Sequence, residues 1–519
     1  MSQEKKRKNL FIVVALAIAN IILIFYFVFF NKNPRPQLSA NVKEGKVLVE
    51  QYCQSCHKLP DPSLLSKNIW IQGALPTMGP FFGINSFKGM AYHQIKDVDP
   101  SYFPAKPILD SLQWQKISDY FYSEAPDYLP LQDKDVSKVK ILPFFTVELP
   151  KSQSVFGKVS MTSYVKIDTT INPHRIIVND AMAQKLYIFD KNLNILSSNT
   201  NNSLVTDIDF QNGQTLGCNI GETLEANNQR KGSVSLMSIN KSGTVTIGEK
   251  IFSALARPVK VTHADLNNDG KMDYVISQFG NVIGDLSWMR NKGDDTYEKI
   301  ILKNKPGAIN TIIDDYNKDG LKDVWELFAQ GDEGISVFTN KGNNIMEERQ
   351  VLRFPPSYGS TSFDLVDFNH DGYKDIIYTC GDNADYTPIL KPYHGVYIFL
   401  NDGKNNFTQK YFYPINGCYK AIARDFDGDG QIDIAAISFF PSSLQPEEAF
   451  TYLKNNGNFN FSPYKLPLGT PFEKGITMDV ADLDGDGKLD ILLGNGYYSS
   501  DESNKHIEPL FIVLKNKTQ

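Results

Sequence analysis

Five segments of one pattern, D-x-[DN]-x-D-G-x-x-D, recur along the chain and constrain its fold more than any other feature. They read DLNNDGKMD from Asp265, DYNKDGLKD from Asp315, DFNHDGYKD from Asp367, DFDGDGQID from Asp425 and DLDGDGKLD from Asp482. Successive starts lie 50, 52, 58 and 57 residues apart. A regular period of this size marks an array of similar units, none of which can bury its apolar face alone.

Each segment sets oxygen side chains at its first, third and fifth positions, a glycine at the sixth for a sharp turn, and a carboxylate at the ninth. The ligand candidates are Asp265, Asn267, Asp269 and Asp273; Asp315, Asn317, Asp319 and Asp323; Asp367, Asn369, Asp371 and Asp375; Asp425, Asp427, Asp429 and Asp433; and Asp482, Asp484, Asp486 and Asp490. Such sets suit a hard cation, and calcium fits because it accepts six to eight oxygens in a flexible shell, where magnesium demands a tighter octahedron. An EF-hand would add a glutamate at position twelve and flanking helices. Here the flanks are short β-type runs, such as Val259 to Thr262 and Tyr274 to Ser277, so the loops connect strands. The five loops hold 17 aspartates, and one divalent ion in each moves the formal charge from −6 to +4. The acidic balance is therefore largely ligand chemistry, and no long basic run points to nucleic acid.

A second signal follows each of the first four loops: Asn291-Lys-Gly293, Asn340-Lys-Gly342, Asn401-Asp-Gly403 and Asn455-Asn-Gly457. Asparagine and glycine tolerate positive φ and favour tight hairpin turns. Each unit then counts four strands, the size of a propeller blade. On these motifs the stretch 141–519 resembles the FG-GAP or VCBS-repeat family, the calcium-loop propellers also seen in integrin α-chain heads. The resemblance implies a seven-bladed all-β propeller holding about five calcium ions that chiefly keep the blades in shape. Two weaker units, around Asp209-Phe-Gln-Asn-Gly213 and Asp168-Thr-Thr-Ile-Asn-Pro-His-Arg175, complete the count as blades without calcium. The last blade lacks a fourth strand of its own, and Phe145 to Leu149 is expected to supply it by pairing near Phe511 to Leu514.

Cys53-Gln-Ser-Cys56-His57 is the other specific motif. Two thiols at this spacing followed by histidine are what covalent haem attachment requires, with His57 as proximal iron ligand. A redox dithiol or half a zinc site is the alternative, although no second ligand pair follows. Val42 to Tyr52 reads as an opening helix and Ser111 to Ala125 as a closing one, so 41–132 resembles a small, all-α class I cytochrome c carrying one haem c. Met78, in a proline-rich loop, is the first candidate for the distal ligand, with Met90 and His93 as alternatives. The remaining cysteines, Cys218, Cys380 and Cys418, read as small residues buried in strands.

Ahead of these lie Lys5, Lys6, Arg7 and Lys8 and an apolar run from Leu10 to Phe30, long enough to span a bilayer. This predicts a cytoplasmic tip and signal anchor over 1–31 and a linker over 32–40. Everything beyond would then lie in the periplasm of a bacterium, tethered to its inner membrane; a cleaved signal peptide is the rival. The multidomain reading is a transmembrane helix, an all-α cytochrome domain and an all-β propeller. Its leading function is single-electron transfer with a redox partner protein or quinol-linked donor, the propeller serving for docking or recognition. The alternatives are a propeller oxidoreductase feeding its own haem, and an adhesion protein with a glycan or small-molecule ligand on the propeller. No catalytic constellation is identified. Trp70, Trp114, Trp288 and Trp325 form no repeated docking motif of the quinone-dependent kind. The long loops opposite the acidic ones, 381–394, 439–448 and 497–506, are candidate ligand surfaces.

Overall fold

A computed structural model describes residues 39–518 except 93–94, 96, 158, 201–203, 212, 384–386 and 499–506. Seven antiparallel four-stranded blades dominate it. Their first strands are Val159–Asp168, Val205–Gln211, Pro258–Ala264, Ala308–Asp314, Ser360–Val366, Cys418–Arg424 and Gly475–Ala481. These strands touch one another in succession, and the seventh touches the first, so the blades form a closed ring.

The second and third strands of each blade explain why the ring holds. Asp273–Gln278, Asp323–Phe328, Asp375–Cys380 and Asp433–Ser438 are buried at every position. Strands covered on both faces read as near-continuous apolar runs, as these do after their leading aspartate. What covers them is the neighbouring blade. One apolar cluster joins Trp288 and Leu286 of blade three to Phe328 and Phe338 of blade four. Another joins Trp325 and Val337 of blade four to Phe363 and Tyr378 of blade five, and the same holds round to Leu492 and Phe511 of blade seven against Ile176 and Phe189 of blade one. No blade therefore has a core of its own. Cys218, Cys380 and Cys418 sit fully buried within these clusters as free thiols.

The ends of the ring are joined as the sequence indicated. Phe145–Glu148 is the outer strand of blade seven, with Phe145 opposite Asn516 and Val147 opposite Leu514. Just before it, Lys140–Ile141 runs parallel to the edge of blade six, opposite Tyr464 and Lys465. One short segment thus caps two blades and removes exposed edges.

Residues 40–125 do not form the all-α cytochrome domain that the motif suggested. Two helices, α1 (Ala40–Tyr52) and α2 (Ser111–Glu124), pack together, with Val49 against Trp114, Ile117 and Phe121 in one cluster. Asp110 caps α2 in a full capping box with Gln113. Between them lie single helical turns, a π-helical segment Trp70–Ala74, and a two-stranded hairpin of Ser86–Phe87 with Met90–Ala91. Proline at 62, 76, 80, 100, 104 and 107 breaks this stretch into short pieces, since proline cannot donate into a continuing helix. Cytochrome c and electron transfer are therefore withdrawn as descriptions of this chain. The run Leu10 to Phe30, expected to span a membrane, lies outside the described residues. Among the described residues no helix is long and apolar enough to cross a membrane, and the expected single-pass inner-membrane placement with a periplasmic body is not supported.

Deleting residues 141–151 removes the closing strand of blade seven and half of the two-residue strand on blade six. The deletion variant is expected to lose on the order of 10 °C or more in thermal midpoint; an unchanged melting curve would contradict the closure.

Candidate functional site

Each acidic loop joins the first strand of a blade to the second, and its ninth residue opens that second strand. Asp273, Asp323, Asp375, Asp433 and Asp490 are almost wholly buried. A carboxylate there must find donors, and the donors come from the turn asparagine across the blade, which opens an Asn-x-Gly turn in four cases and Asn516-Lys-Thr in the fifth. The backbone N–H of Asn291 donates to Asp273 Oδ1 at 2.7 Å, that of Asn340 to Asp323 at 2.7 Å, and that of Asn401 to Asp375 at 2.9 Å. Asn455 and Asn516 do the same for Asp433 and Asp490, at 2.7 and 2.9 Å.

The asparagine side chain completes the tie. Its amide donates to the carbonyl just before the aspartate, as from Asn340 Nδ2 to Lys322 O and from Asn455 Nδ2 to Ile432 O, both 3.1 Å. Its oxygen accepts from the turn glycine, Gly342 N or Gly457 N, at 3.0 Å. The two sequence signals are thus one device, a staple that fastens loop to hairpin. The turn asparagines were legible as turn formers, but their second role shows only when the strands are laid side by side.

The outer part of each loop is shaped by its first residue. Asp265 accepts from Asp269 N at 3.1 Å and from Gly270 N at 2.9 Å. Asp315 and Asp367 repeat the pattern. Gly270, Gly320, Gly372, Gly430 and Gly487 all have φ between 82° and 87°, which explains the glycine at position six. In the first three loops the third-position amide leans on the fifth-position carboxylate: Asn267 Nδ2 donates to Asp269 at 3.1 Å, Asn317 to Asp319 at 2.9 Å and Asn369 to Asp371 at 2.8 Å. In the last two, three carboxylates converge within 4.8 Å of one another: Asp425, Asp427 and Asp429, and Asp482, Asp484 and Asp490. Burial, with the neighbouring aspartates adding to it, pushes the Asp323 and Asp375 carboxyls up to about 6. For Asp433, burial again dominates and gives about 6. A cation bound nearby would reverse that direction.

In blades one and two, which lack the full loop, an aspartate of the first strand is bonded within the chain. Asp168 is paired with the buried Arg175, whose Nε donates at 2.7 Å and whose guanidinium also reaches Asn240 O and Ile239 O. Asp209 accepts from the backbone and ring of His263.

On the opposite face the N-terminal unit is docked. Tyr102 OH donates to Val282 O at 2.9 Å, Lys58 Nζ to Arg353 O at 3.1 Å and Tyr393 OH to Leu64 O at 3.0 Å. Gln132 Nε2 bonds the carbonyls of Lys391 and His394, and Lys134 pairs with Glu448. The 381–394 loop of blade five, expected as open ligand surface, is therefore covered in part by the chain itself. Tyr386 of that loop and the residues 499–506 lie outside the described set, as does His93. On blade six the half-buried Phe439 and Phe440 form an aromatic ledge, ring centroids 4.8 Å apart, and Leu444 of the same loop is exposed.

Cys53, Cys56 and His57 follow directly on α1 and face this docked side. His57 Nδ1 lies 3.0 Å from Lys58 O, and the imidazole feels Asp332, Arg353 and Lys305 of the propeller. Burial lowers its basicity. Burial, and secondarily Cys56, pushes the Cys53 thiol up to about 12. Met78 packs in the same apolar cluster as Cys53, whereas Met90 is half exposed on the small hairpin.

Three stretches match the model of the FG-GAP-like repeat: 265–326, 315–378 and 439–493. The chain carries FG-GAP-like repeats. No curated protein matches it in sequence. Among solved structures, an Agrocybe aegerita lectin described as recognising non-reducing terminal N-acetylglucosamine is 15% identical; the match covers 72% of this chain and 100% of the lectin at a TM-score of 0.36. A Saccharomyces cerevisiae assembly of Dbp5 with Nup159 and Gle1 is 11% identical, covering 75% of this chain and 99% of the other, with a TM-score of 0.41. With both scores below 0.5, neither likeness defines a ligand for this chain.

Two outcomes test this geometry. Asn340→Ala removes a buried amide that bonds Leu266 O at 2.7 Å, Lys322 O and Gly342 N. It is expected to cost about 2 to 4 kcal/mol in urea unfolding; a cost within error of zero would dismiss the staple. Glu333, buried beneath the docked unit and bonded to Ser360 N at 2.8 Å, has its carboxyl pushed by burial from 4.5 to about 8. The folded form holds its proton where the unfolded form has lost it. Its contribution to stability is therefore full below pH 4.5 and is lost as the pH rises to about 8. Thermal midpoints from pH 5 to 8.5 should fall less steeply for Glu333→Gln than for the wild type. Parallel curves would place the proton elsewhere.

Proposed function

We propose that this chain is a calcium-stiffened recognition module, a binding or adhesion protein rather than a catalyst. The observation that carries the reading is the sorting of the propeller into two faces. Five acidic loops and their staples occupy one side, and long, chemically varied loops occupy the other. Oxygen donors at positions one, three and five, preset by backbone hydrogen bonds, fit calcium, because little reorganisation remains before the ion enters. Candidate ligands of the ions are Asp265, Asp315, Asp367, Asp425 and Asp482 with their partners at positions three, five and nine. The ion supplies charge compensation that lets the aspartates stand together. The ledge at Phe439 and Phe440 supports a ligand with an apolar ring face, of the kind a sugar presents, since aromatic faces stack on such surfaces.

Titration calorimetry with calcium chloride should show about five ions per chain, and the thermal midpoint should rise in calcium and fall in EDTA. Asp371→Asn should remove about one ion. Absence of both heat and thermal shift would end the calcium reading. On a glycan array, binding that Phe439→Ala with Phe440→Ala abolishes would support the ledge, and binding indifferent to that change would refute it.

A second reading concerns Cys53, Cys56 and His57 alone and does not depend on a cytochrome fold. A ligating histidine usually donates one ring nitrogen to a carbonyl and keeps the other for the metal. His57 Nδ1 beside Lys58 O fits that arrangement and leaves Nε2 available. Covalent haem would be held by thioethers at Cys53 and Cys56, with Met78 as the candidate on the distal side, and would supply a redox-active iron. Cys53→Ala with Cys56→Ala should abolish haem staining that survives denaturing electrophoresis after expression with a maturation system. No stain in the wild type would dispose of this reading.

A further inference from the structure

The last two acidic loops differ from the first three in two coupled ways. At position three they have Asp427 and Asp484 where the others have Asn267, Asn317 and Asn369. Just before the turn asparagine they have Lys454 and Lys515, where the others have Arg290, Thr339 and Leu400. The first substitution takes away the amide that leans on the fifth-position carboxylate and adds a negative charge. The second returns a positive charge from the opposite strand. Lys454 Nζ contacts Asp427 and lies 3.2 Å from Asp429 Oδ2. Lys515 Nζ lies 2.8 Å from Asp484 and 3.0 Å from Asp490. Both ammonium groups are well shielded, with Lys515 only 7% exposed. Counting the aspartates with the inserted lysine, each of these loops carries −3, the same as each of the first three.

Neighbouring residues in the other blades do not do this. Arg290 pairs with Glu298 and makes no ion pair with its loop, although its charge is felt at Asp269. Thr339 bonds Tyr316, and Leu400 is apolar. Lys271 comes within 3.9 Å of Asp269, but from a half-exposed position within its own loop. Blade one carries the substitution to its limit, since Arg175 is locked onto Asp168.

We infer that Lys454 and Lys515 are tethered counter-ions that hold the loops of blades six and seven in shape without metal and compete with calcium there. The inference rests on the calcium reading above and goes beyond it. It divides the five loops into three tight sites and two weakened ones. The placement is physically sensible, because blades six and seven are where the short segment around residues 140–148 closes the ring. A tethered ammonium keeps that seam together when calcium is scarce, at the expense of affinity for the ion.

The test uses the full chain with Lys454→Met, Lys515→Met and the double variant, each retaining the length of the apolar stem. Calorimetry with calcium chloride should resolve two affinity classes in the wild type, three ions and two. Each single variant should move one weak site upward in affinity by on the order of tenfold or more, and the double variant both. In EDTA the variants should melt below the wild type, and in saturating calcium that gap should close. Five equal sites that the variants leave unchanged would overturn the inference while leaving the calcium reading intact. No calcium binding to any variant would overturn both. Should the double variant fail to fold, the single ones carry the comparison, and Lys454→Arg is expected to restore the wild-type pattern.

Discussion

The rest of the structure depends on a carboxylate buried at the head of the second strand of five blades. An aspartate there is costly unless donors surround it, and the chain provides them from a turn 17 to 26 residues further on. That tie couples the loop between strands one and two to the hairpin between strands three and four. It therefore fixes the side of the ring on which acidic side chains gather, and by alternation the side on which the longer loops emerge. Packing between blades supplies the stability, but the staple supplies the register.

Charge is distributed by the same logic. Where the third position is asparagine, its amide quiets the fifth-position carboxylate. Where it is aspartate, a lysine crosses from the neighbouring strand. Where the loop has degenerated, as in blade one, an arginine is built in permanently. These are graded answers to one problem, the repulsion among carboxylates that only a cation can relieve fully. The N-terminal unit adds a separate constraint, because hydrogen bonds from Tyr102, Lys58 and Gln132 to the propeller, and from Tyr393 back to Leu64, together with the Lys134–Glu448 pair, seat it on blades three to six.

Much of the propeller was legible because its signals are local and repeated. Loop, turn and spacing gave the blade, and the missing fourth strand of blade seven pointed to Phe145. What the chain did not disclose were contacts made across strands: the second role of the turn asparagines, the lysines in the last two loops, and the docking of residues 58–134 over a face expected to be free. The N-terminal region misled for a different reason. A short motif at Cys53 and two amphipathic helices resemble a small cytochrome, but the proline-rich stretch between them folds as single turns and a hairpin, and periodicity carries little information in pieces so short.

Amide hydrogen exchange measured in EDTA tests the central claim most directly. The account predicts that the backbone N–H groups of Asn291, Asn340, Asn401, Asn455 and Asn516 exchange as slowly as the buried second strands, because each donates to a buried carboxylate whether or not an ion is present. Rapid exchange at these five amides, with the second strands still protected, would contradict it.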